Sequence, residues 1–234
     1  MNHWGRIFFI YESEELSAVY GQPLQNHVSN CRSILEKFDT HYFHEATRER
    51  LFRAVELHDL GKRDTFRLRR DDKTRRLLYS FAGHRFRVPH EDPYIASLIR
   101  AHHEFSVEQV NHEKARQGSE IEKSWFPDDL YLLCMADQLE AELAVKSVEK
   151  KDSVPRTFME FGTERLDDAY RTFGVVPWPF REEGFTLSVR LKKLPEKEFR
   201  GKEPKEIERA LKNLPLDEES AITITLVRER RHGN

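Results

Sequence analysis

The spacing of apolar residues predicts a chain made mostly of helices. Over residues 24–38, apolar side chains recur at alternating intervals of four and three residues, and Pro23 stands just before the first of them. That period places the apolar residues on one buried face of a helix. Similar patterns predict helices over about residues 45–60 and 156–173, and at two capping sites, Asp92–Pro93 and Asp128–Asp129. The fold class is therefore predicted to be mainly α.

Shorter stretches alternate between apolar and polar residues, as strands do. Residues 1–11 predict a short strand or an ordered arm, and residues 76–88 predict a hairpin with His84 near its turn. Residues 185–191 and 222–226 also alternate, and a short helix is predicted between them over residues 204–214. We therefore predict a helical domain over residues 1–178 and a small α+β appendage over residues 179–234.

The composition indicates in which compartment the protein is expected. Charged residues make up 34% of the chain and hydrophobic residues 38%, which suits a polar surface around one sizeable core. The two cysteines, Cys31 and Cys134, lie on apolar helix faces and are interpreted as reduced core residues. The apolar run at residues 7–10 is too short for a signal peptide, and nothing later reaches membrane-spanning length. A cytoplasmic protein without membrane contact is predicted.

The first chemical signal is the adjacent pair His58 and Asp59. His58 shares a helix face with Leu51 and Val55, so the pair is expected at the end of a buried helix. Gly61 is expected to follow that helix in a left-handed turn. An imidazole and a carboxylate that lose water together are unfavourable unless a cation pairs with them. The pair therefore predicts a divalent metal site, with a salt bridge between Asp59 and an arginine as the alternative.

Further candidate ligands follow along the chain. Asp137 lies on an apolar helix stripe, so its carboxylate is expected to meet a cation, either a metal or an arginine. The doublet His102–His103 ends an apolar helix, from where both rings can reach one cluster. His84 and His90 compete for one more ligand position, and His84 is preferred because Gly83 before it allows a tight turn.

A basic stretch begins beside the proposed metal pair. Ten basic residues against three acidic ones lie between Lys62 and Arg87, in a chain whose net charge is only −2. Lys62 is a candidate to neutralise a phosphate oxygen, or else an ordinary solvated lysine. Aromatic residues interleave with the stretch, as in proteins that stack single-stranded bases on rings; otherwise the charges form a solvated face. The predicted nucleic-acid contacts are Lys62, Arg63, Arg67, Arg69 and Arg70, with Phe66, Tyr79, Phe81 and Phe86 as stacking rings.

In chain order, these residues resemble the HD superfamily of metal-dependent phosphohydrolases. Within it, the chain looks most like the stand-alone HD nuclease subunit of type I CRISPR systems, over roughly residues 20–150. The resemblance rests on His27, His58-Asp59-Leu60-Gly61-Lys62, Phe66, His84, His102-His103 and Ala136-Asp137. It implies an HD-type helical bundle that cuts single-stranded DNA, together with a separate helicase subunit and a crRNA-guided surveillance complex.

The resemblance also implies roles for the candidate residues. Asp59 would bridge two ions and act with Lys62 in catalysis. The remaining ligands would divide into His27, His58 and Asp137 on one side and His84, His102 and His103 on the other, although His27 alone would be interpreted as a core histidine. Histidine-rich ligation favours manganese, nickel, cobalt or iron over magnesium. The alternative functions are an HD-type nucleotide phosphohydrolase and a binding or scaffold subunit with a degenerate site.

Overall fold

The computed structural model describes residues 1–149, 166, 168, 170–175, 185–215 and 221–226. This part of the chain is mainly helical with small sheets, in agreement with the predicted fold class. The helices are α1 (Leu24–Leu35), α2 (Glu45–Leu57), α3 (Lys62–Thr65), α4 (Pro93–Ala101), α5 (Val107–Ala115), α6 (Glu120–Glu149) and α7 (Pro204–Asn213). The strands are β1 (Trp4–Glu12), β2 (Glu15–Pro23), β3 (Arg67–Arg70), β4 (Leu77–Ser80), β5 (Phe185–Arg190), β6 (Lys192–Leu194) and β7 (Ala221–Leu226).

Helices α1, α2, α4 and α6 pack around the larger hydrophobic core. The predicted starts of α1 and α4 are confirmed: Pro23 precedes α1, and the Asp92 side chain accepts the backbone N–H of Tyr94 at 2.8 Å. Proline at the first helical position has no N–H to leave unpaired, which is why Pro93 suits the start of α4. The candidate ligands lie where α2 and α4 end, beside the first turn of α1 and the middle of α6.

The predicted start of α6 was wrong. The helix begins at Glu120 and runs through Pro127 and Asp128, so Asp129 lies inside the helix instead of capping it. Asp129 is fully buried, and its carboxylate accepts the Tyr94 hydroxyl at 2.6 Å. A tertiary partner has therefore taken the place of the backbone N–H that a capping aspartate would bind.

Stability should depend on pH through Asp129. Burial raises the pKa of its carboxyl to about 7, against about 3.9 in an unfolded chain. The folded state thus holds the proton more tightly, so this stabilisation is complete below about pH 4 and is lost as the pH rises through about 7. Between pH 4 and pH 8 the free energy of unfolding of the wild type should fall by up to about 4 kcal/mol through this group. Asp129→Asn cannot ionise, so it should not show this fall. Urea unfolding across that range measures the difference, and parallel curves would contradict the prediction.

The sheets join segments that are distant in sequence. Strands β1 and β2 form an antiparallel hairpin that turns at Ser13 (φ 58°), and β6 pairs with the other edge of β2. The first strand was predicted, whereas β2 was not. The predicted hairpin over residues 76–88 was wrong, because β4 pairs with the earlier β3 and His84 opens a 3-10 turn. Strands β5 and β7, both predicted, pair with each other.

A second core connects the C-terminal segment with the N-terminal hairpin. The Trp4 indole N–H donates to the carbonyl of Leu211 on α7 at 3.0 Å. Buried side chains of the N-terminal hairpin, Phe66 and the C-terminal segment form this core: Ile7, Val19, Phe66, Leu194, Phe199 and Ile207. The division into residues 1–178 and 179–234 stays a prediction, and residues 176–184 lie outside the described part.

Of the helix predicted over residues 156–173, most lies outside the described residues, although Gly174 follows a 3-10 turn with φ 72° as a helix-ending glycine would. Among the described residues, no helix combines the length and apolar character needed to span a membrane.

Candidate metal centre

The predicted ligands come together where several helices end. His27 lies on α1, His58 and Asp59 follow α2, His102 and His103 follow α4, and Asp137 lies on α6. His84 reaches the same region from the 3-10 turn at His84–Phe86. His90, its competitor, lies beside the start of α4, where its Nδ1 accepts the backbone N–H of Asp92 at 3.0 Å.

The carboxylate of Asp59 lies between two groups of histidines. Its Oδ2 is 2.8 Å from Nε2 of His27 and 3.6 Å from Nε2 of His58. Its Oδ1 is 3.0 Å from Nε2 of His84 and 3.7 Å from Nε2 of His102. Asp59 is fully buried, and one carboxylate therefore serves both groups through different oxygens.

Two sets of donor atoms can each surround one ion. The first half-site comprises His27, Cys31, His58 and Asp137, and the second half-site comprises Asp59, His84, His102 and His103. In each set, one donor atom per residue lies within 4.8 Å of all the others. Asp137 closes the first half-site, with its Oδ1 3.2 Å from Nε2 of His27. In the second, Nε2 of His103 is 3.4 Å from Nε2 of His84.

Backbone hydrogen bonds orient three of the histidines. The Nδ1 atoms of His58, His84 and His102 each lie within 3 Å of the carbonyl oxygen three residues earlier, at 2.7, 2.9 and 2.6 Å. An Nδ1–H that donates to this carbonyl leaves the Nε2 lone pair free for a metal, the usual arrangement for histidine ligands.

Unsatisfied atoms at the centre test whether a metal suits these residues. Nε2 of His58, Nε2 of His102 and Oδ1 of Asp59 are buried and have no hydrogen-bond partner. Buried polar atoms without partners are unfavourable, and here all three face the same small volume. Neutral imidazoles and a carboxylate are ordinary ligands of transition metals. The donor set therefore fits divalent cations in both half-sites.

Neighbouring charges and burial shift the pKa values of the cluster residues. Burial disfavours an ionised Asp59, yet the Lys62 ammonium and the neighbouring His58 hold the pKa of its carboxyl well below the usual range. Burial likewise opposes charge on His58, but Asp59 and Asp137 raise the pKa of that imidazole to about 10. In the second half-site, burial lowers the pKa of His102 well below its usual value and also lowers that of His103. The lowered pKa values of His102 and His103 favour the neutral imidazoles that bind metal.

A buried carboxylate that the sequence analysis did not single out supports His27. Glu140 is fully buried, and its Oε2 lies 2.5 Å from Nδ1 of His27 and 2.9 Å from the Arg6 guanidinium. Asn30 donates to its other oxygen at 3.1 Å. Glu140 follows Asp137 by three residues on the same helix face, so the helical period contained the signal. Its carboxylate fixes the ring of His27 with Nε2 toward Asp59.

Replacing Glu140 should weaken metal binding through His27. Glu140→Gln keeps the shape but removes the charge that orients the imidazole, and loss of such outer partners reduces metal affinity by about 10- to 100-fold. Calorimetric titration with cobalt(II) measures the change. Glu113→Gln is a matched control, because Glu113 pairs with Arg100 and is not among the cluster residues. Equal affinities for the two variants would contradict a positioning role, and melting temperatures separate this effect from instability.

Lys62 lies at the centre, and the rest of the basic stretch follows it along the chain. The Lys62 ammonium forms an ion pair with Oδ2 of Asp59 and lies 5.1 Å from the centre of the Phe81 ring. Arg63, Arg67 and Arg69 are exposed, whereas Arg70 is half-buried and donates to the carbonyl of Lys202 at 2.6 Å. The expectation that Phe66 stacks on bases was wrong, because Phe66 is buried in the second core. Phe86 is the most exposed of the four rings.

Comparisons of the chain with protein-family models, curated proteins and solved structures gave no significant match.

Proposed function

We propose that the chain is a metal-dependent phosphodiesterase of the HD type that cuts single-stranded DNA. The observation that carries the proposal is the buried carboxylate of Asp59, which faces His27 and His58 through one oxygen and His84 and His102 through the other. A carboxylate shared between two histidine sets is the arrangement that a two-metal hydrolase needs. In this proposal the helical body is an HD-type bundle.

Asp59, Glu140 and Lys62 would have distinct roles in the reaction. When bound, a pair of divalent ions supplies Lewis-acid activation of a phosphodiester and lowers the pKa of water for attack. Asp59 holds the two half-sites at a fixed separation, and Glu140 orients His27. The Lys62 ammonium lies within the site, paired with Oδ2 of Asp59, and its side chain is 10% exposed. From there it would neutralise charge on a phosphate oxygen.

An exposed basic surface supports a nucleic-acid substrate. Arg67 and Arg69 alternate with the buried Leu68 on β3, so both guanidinium groups face solvent on one side of the strand. An open groove of about 830 Å³ lies between the turns of the two hairpins. Five basic residues line it, Arg70, Lys73, Arg75, Arg76 and Arg200, together with Glu14 and Glu15. Phosphate backbones bind such surfaces by releasing counterions, independently of base sequence.

The wider setting is part of the same proposal. A nuclease of this kind would act in the cytoplasm within CRISPR interference. A separate helicase would supply the single strand at a target chosen by a crRNA-guided surveillance complex.

The test is cleavage of labelled single-stranded DNA with manganese or cobalt, beside a panel of mononucleotides and a small chromogenic phosphodiester. Metal-dependent cutting of the strand, lost with a chelator, is the expected result. Hydrolysis of mononucleotides alone would assign the site to a nucleotide phosphohydrolase. No hydrolysis of any substrate, together with far less than one ion per chain, would indicate a scaffold with a degenerate site.

The basic surface should contribute to the affinity for single-stranded DNA and not to hydrolysis of the small phosphodiester. The double variant Arg67→Gln/Arg69→Gln should reduce the slope of log affinity against log salt by about 1.4, since each single-strand phosphate contact contributes about 0.7. Hydrolysis of the chromogenic phosphodiester should be unchanged. A control pair, Lys37→Gln/Arg116→Gln, removes the same charge from exposed positions on the helical body. Identical salt slopes for the two double variants would contradict the proposed DNA path.

A further inference from the structure

Cys31 belongs to the first half-site by position. It follows His27 by four residues on α1, so the two side chains share a helix face. The residue is fully buried, and its Sγ lies 3.8 Å from each ring nitrogen of His27. One donor atom each of Cys31, His27, His58 and Asp137 lies within 4.8 Å of the other three. The thiol therefore faces the same volume as the unsatisfied Nε2 of His58.

We propose that Cys31 is a thiolate ligand of the ion in the first half-site, which makes that half-site selective for zinc, cobalt(II) or ferrous iron. The inference rests on the proposed function only in requiring that this half-site hold a metal. On binding, the sulfur forms a bond to the ion and the thiol proton passes to solvent. The first half-site would then combine sulfur, nitrogen and oxygen donors, while the second has nitrogen and oxygen donors only.

The observed separations suit this assignment. Metal–sulfur bonds of about 2.3 Å and metal–nitrogen bonds of about 2.0 Å put sulfur and nitrogen about 3.5 Å apart in a tetrahedral site. The 3.8 Å between Sγ and the nitrogens of His27 is close to that distance. The rival arrangement is a thiol that only packs against the ring of His27, because Sγ is equally far from both nitrogens.

Thiolate ligation changes which metals are preferred. Soft sulfur donors favour zinc, ferrous iron and cobalt(II), whereas manganese and magnesium favour oxygen. Cys31→Ser should therefore weaken zinc or cobalt(II) binding at the first half-site by more than about tenfold and change manganese binding far less. The two half-sites would consequently differ in metal preference although they share Asp59.

The other cysteine provides a matched control. Cys134 is also buried, but its thiol donates a hydrogen bond to the carbonyl oxygen of His102 at 2.9 Å. The chain has two cysteines. In a Cys134→Ser variant, any sulfur-to-metal signal must come from Cys31, and this measurement does not depend on whether Cys31→Ser folds.

The experiment is a cobalt(II) titration of the metal-free full chain, followed by absorption spectroscopy. Wild type and Cys134→Ser should both show a near-ultraviolet sulfur-to-cobalt charge-transfer band, and Cys31→Ser should lose this band while keeping visible cobalt bands. Cobalt binding without the band in wild type, or persistence of the band in Cys31→Ser, would overturn thiolate ligation and leave the proposed function standing. Failure of wild type to bind cobalt at all would overturn both.

Discussion

Asp59→Asn is expected to remove tight metal binding from both half-sites and, with it, metal-dependent cleavage. The side chain contributes one oxygen to the histidines of each half-site, and an amide keeps its shape but loses the negative charge. Removal of a single hydrogen-bond donor that stabilises a transition state already costs about 10²- to 10³-fold in rate, and loss of a ligand shared by two ions should cost more. We therefore expect a loss of cleavage greater than that range, measured on labelled single-stranded DNA at saturating manganese.

Thermal unfolding provides a second readout of the same variant. A ligand that binds only the folded state stabilises it by about 2.7 kcal/mol at a concentration one hundred times its Kd. The melting temperature of the wild type should therefore rise with added cobalt or manganese, and that of Asp59→Asn should not. A variant that unfolds like the wild type and gains as much stability from metal would contradict the bridging role.

Local signals explain why several elements were predicted correctly. Pro23 before α1 and the Asp92–Pro93 cap before α4 act on backbone within three residues of themselves, so no knowledge of the fold was needed. Asp128–Asp129 carries the same kind of signal, but the buried hydroxyl of Tyr94 binds Asp129 from another helix. A partner 35 residues away in sequence cannot be read from a local pattern.

The candidate site follows the same division. Residue type and position on a helix were sufficient to nominate His58, Asp59 and Asp137, because few other arrangements satisfy such residues when they are buried. His27 was nominated only through the resemblance in the order of residues along the chain. The supporting group of Glu140 with Arg6 and Asn30 was not predicted, because Arg6 comes from β1 and its approach to α6 depends on the tertiary fold. Cys31 was interpreted as a core residue, and its burial is confirmed. Its position among His27, His58 and Asp137 also makes it a candidate metal ligand.

Gly61 illustrates how a correct residue can be predicted for the wrong reason. The sequence suggested a left-handed turn, but its φ is −63°, which any residue adopts. The glycine is required instead by close packing. A Cβ at this position would lie 2.0 Å from the carbonyl oxygen of His84 and 2.8 Å from the carbonyl carbon. The backbone after Asp59 and the backbone of His84 therefore touch, and this contact brings the two segments of the second half-site together.

Gly61→Ala should consequently damage the second half-site more than the first. The methyl group cannot be accommodated unless the His84 segment moves, since the atoms it meets are backbone and not the end of a flexible side chain. Overpacking of this kind costs about 1 to 3 kcal/mol of stability, and the displaced Nε2 of His84 would no longer lie beside Oδ1 of Asp59. Calorimetric titration should show one ion bound tightly and the other weakened by about 10- to 100-fold.

A glycine away from the site separates this effect from the general cost of adding a methyl group. At Gly118 a Cβ would lie 3.3 Å from the Glu122 carboxylate, a contact that a small shift of that side chain relieves. Gly118→Ala should therefore retain wild-type stability and both ions. If Gly61→Ala also binds two ions with wild-type affinity, the contact between Gly61 and His84 does not position the second half-site. If it instead loses both ions together, the two half-sites form one cooperative unit through Asp59.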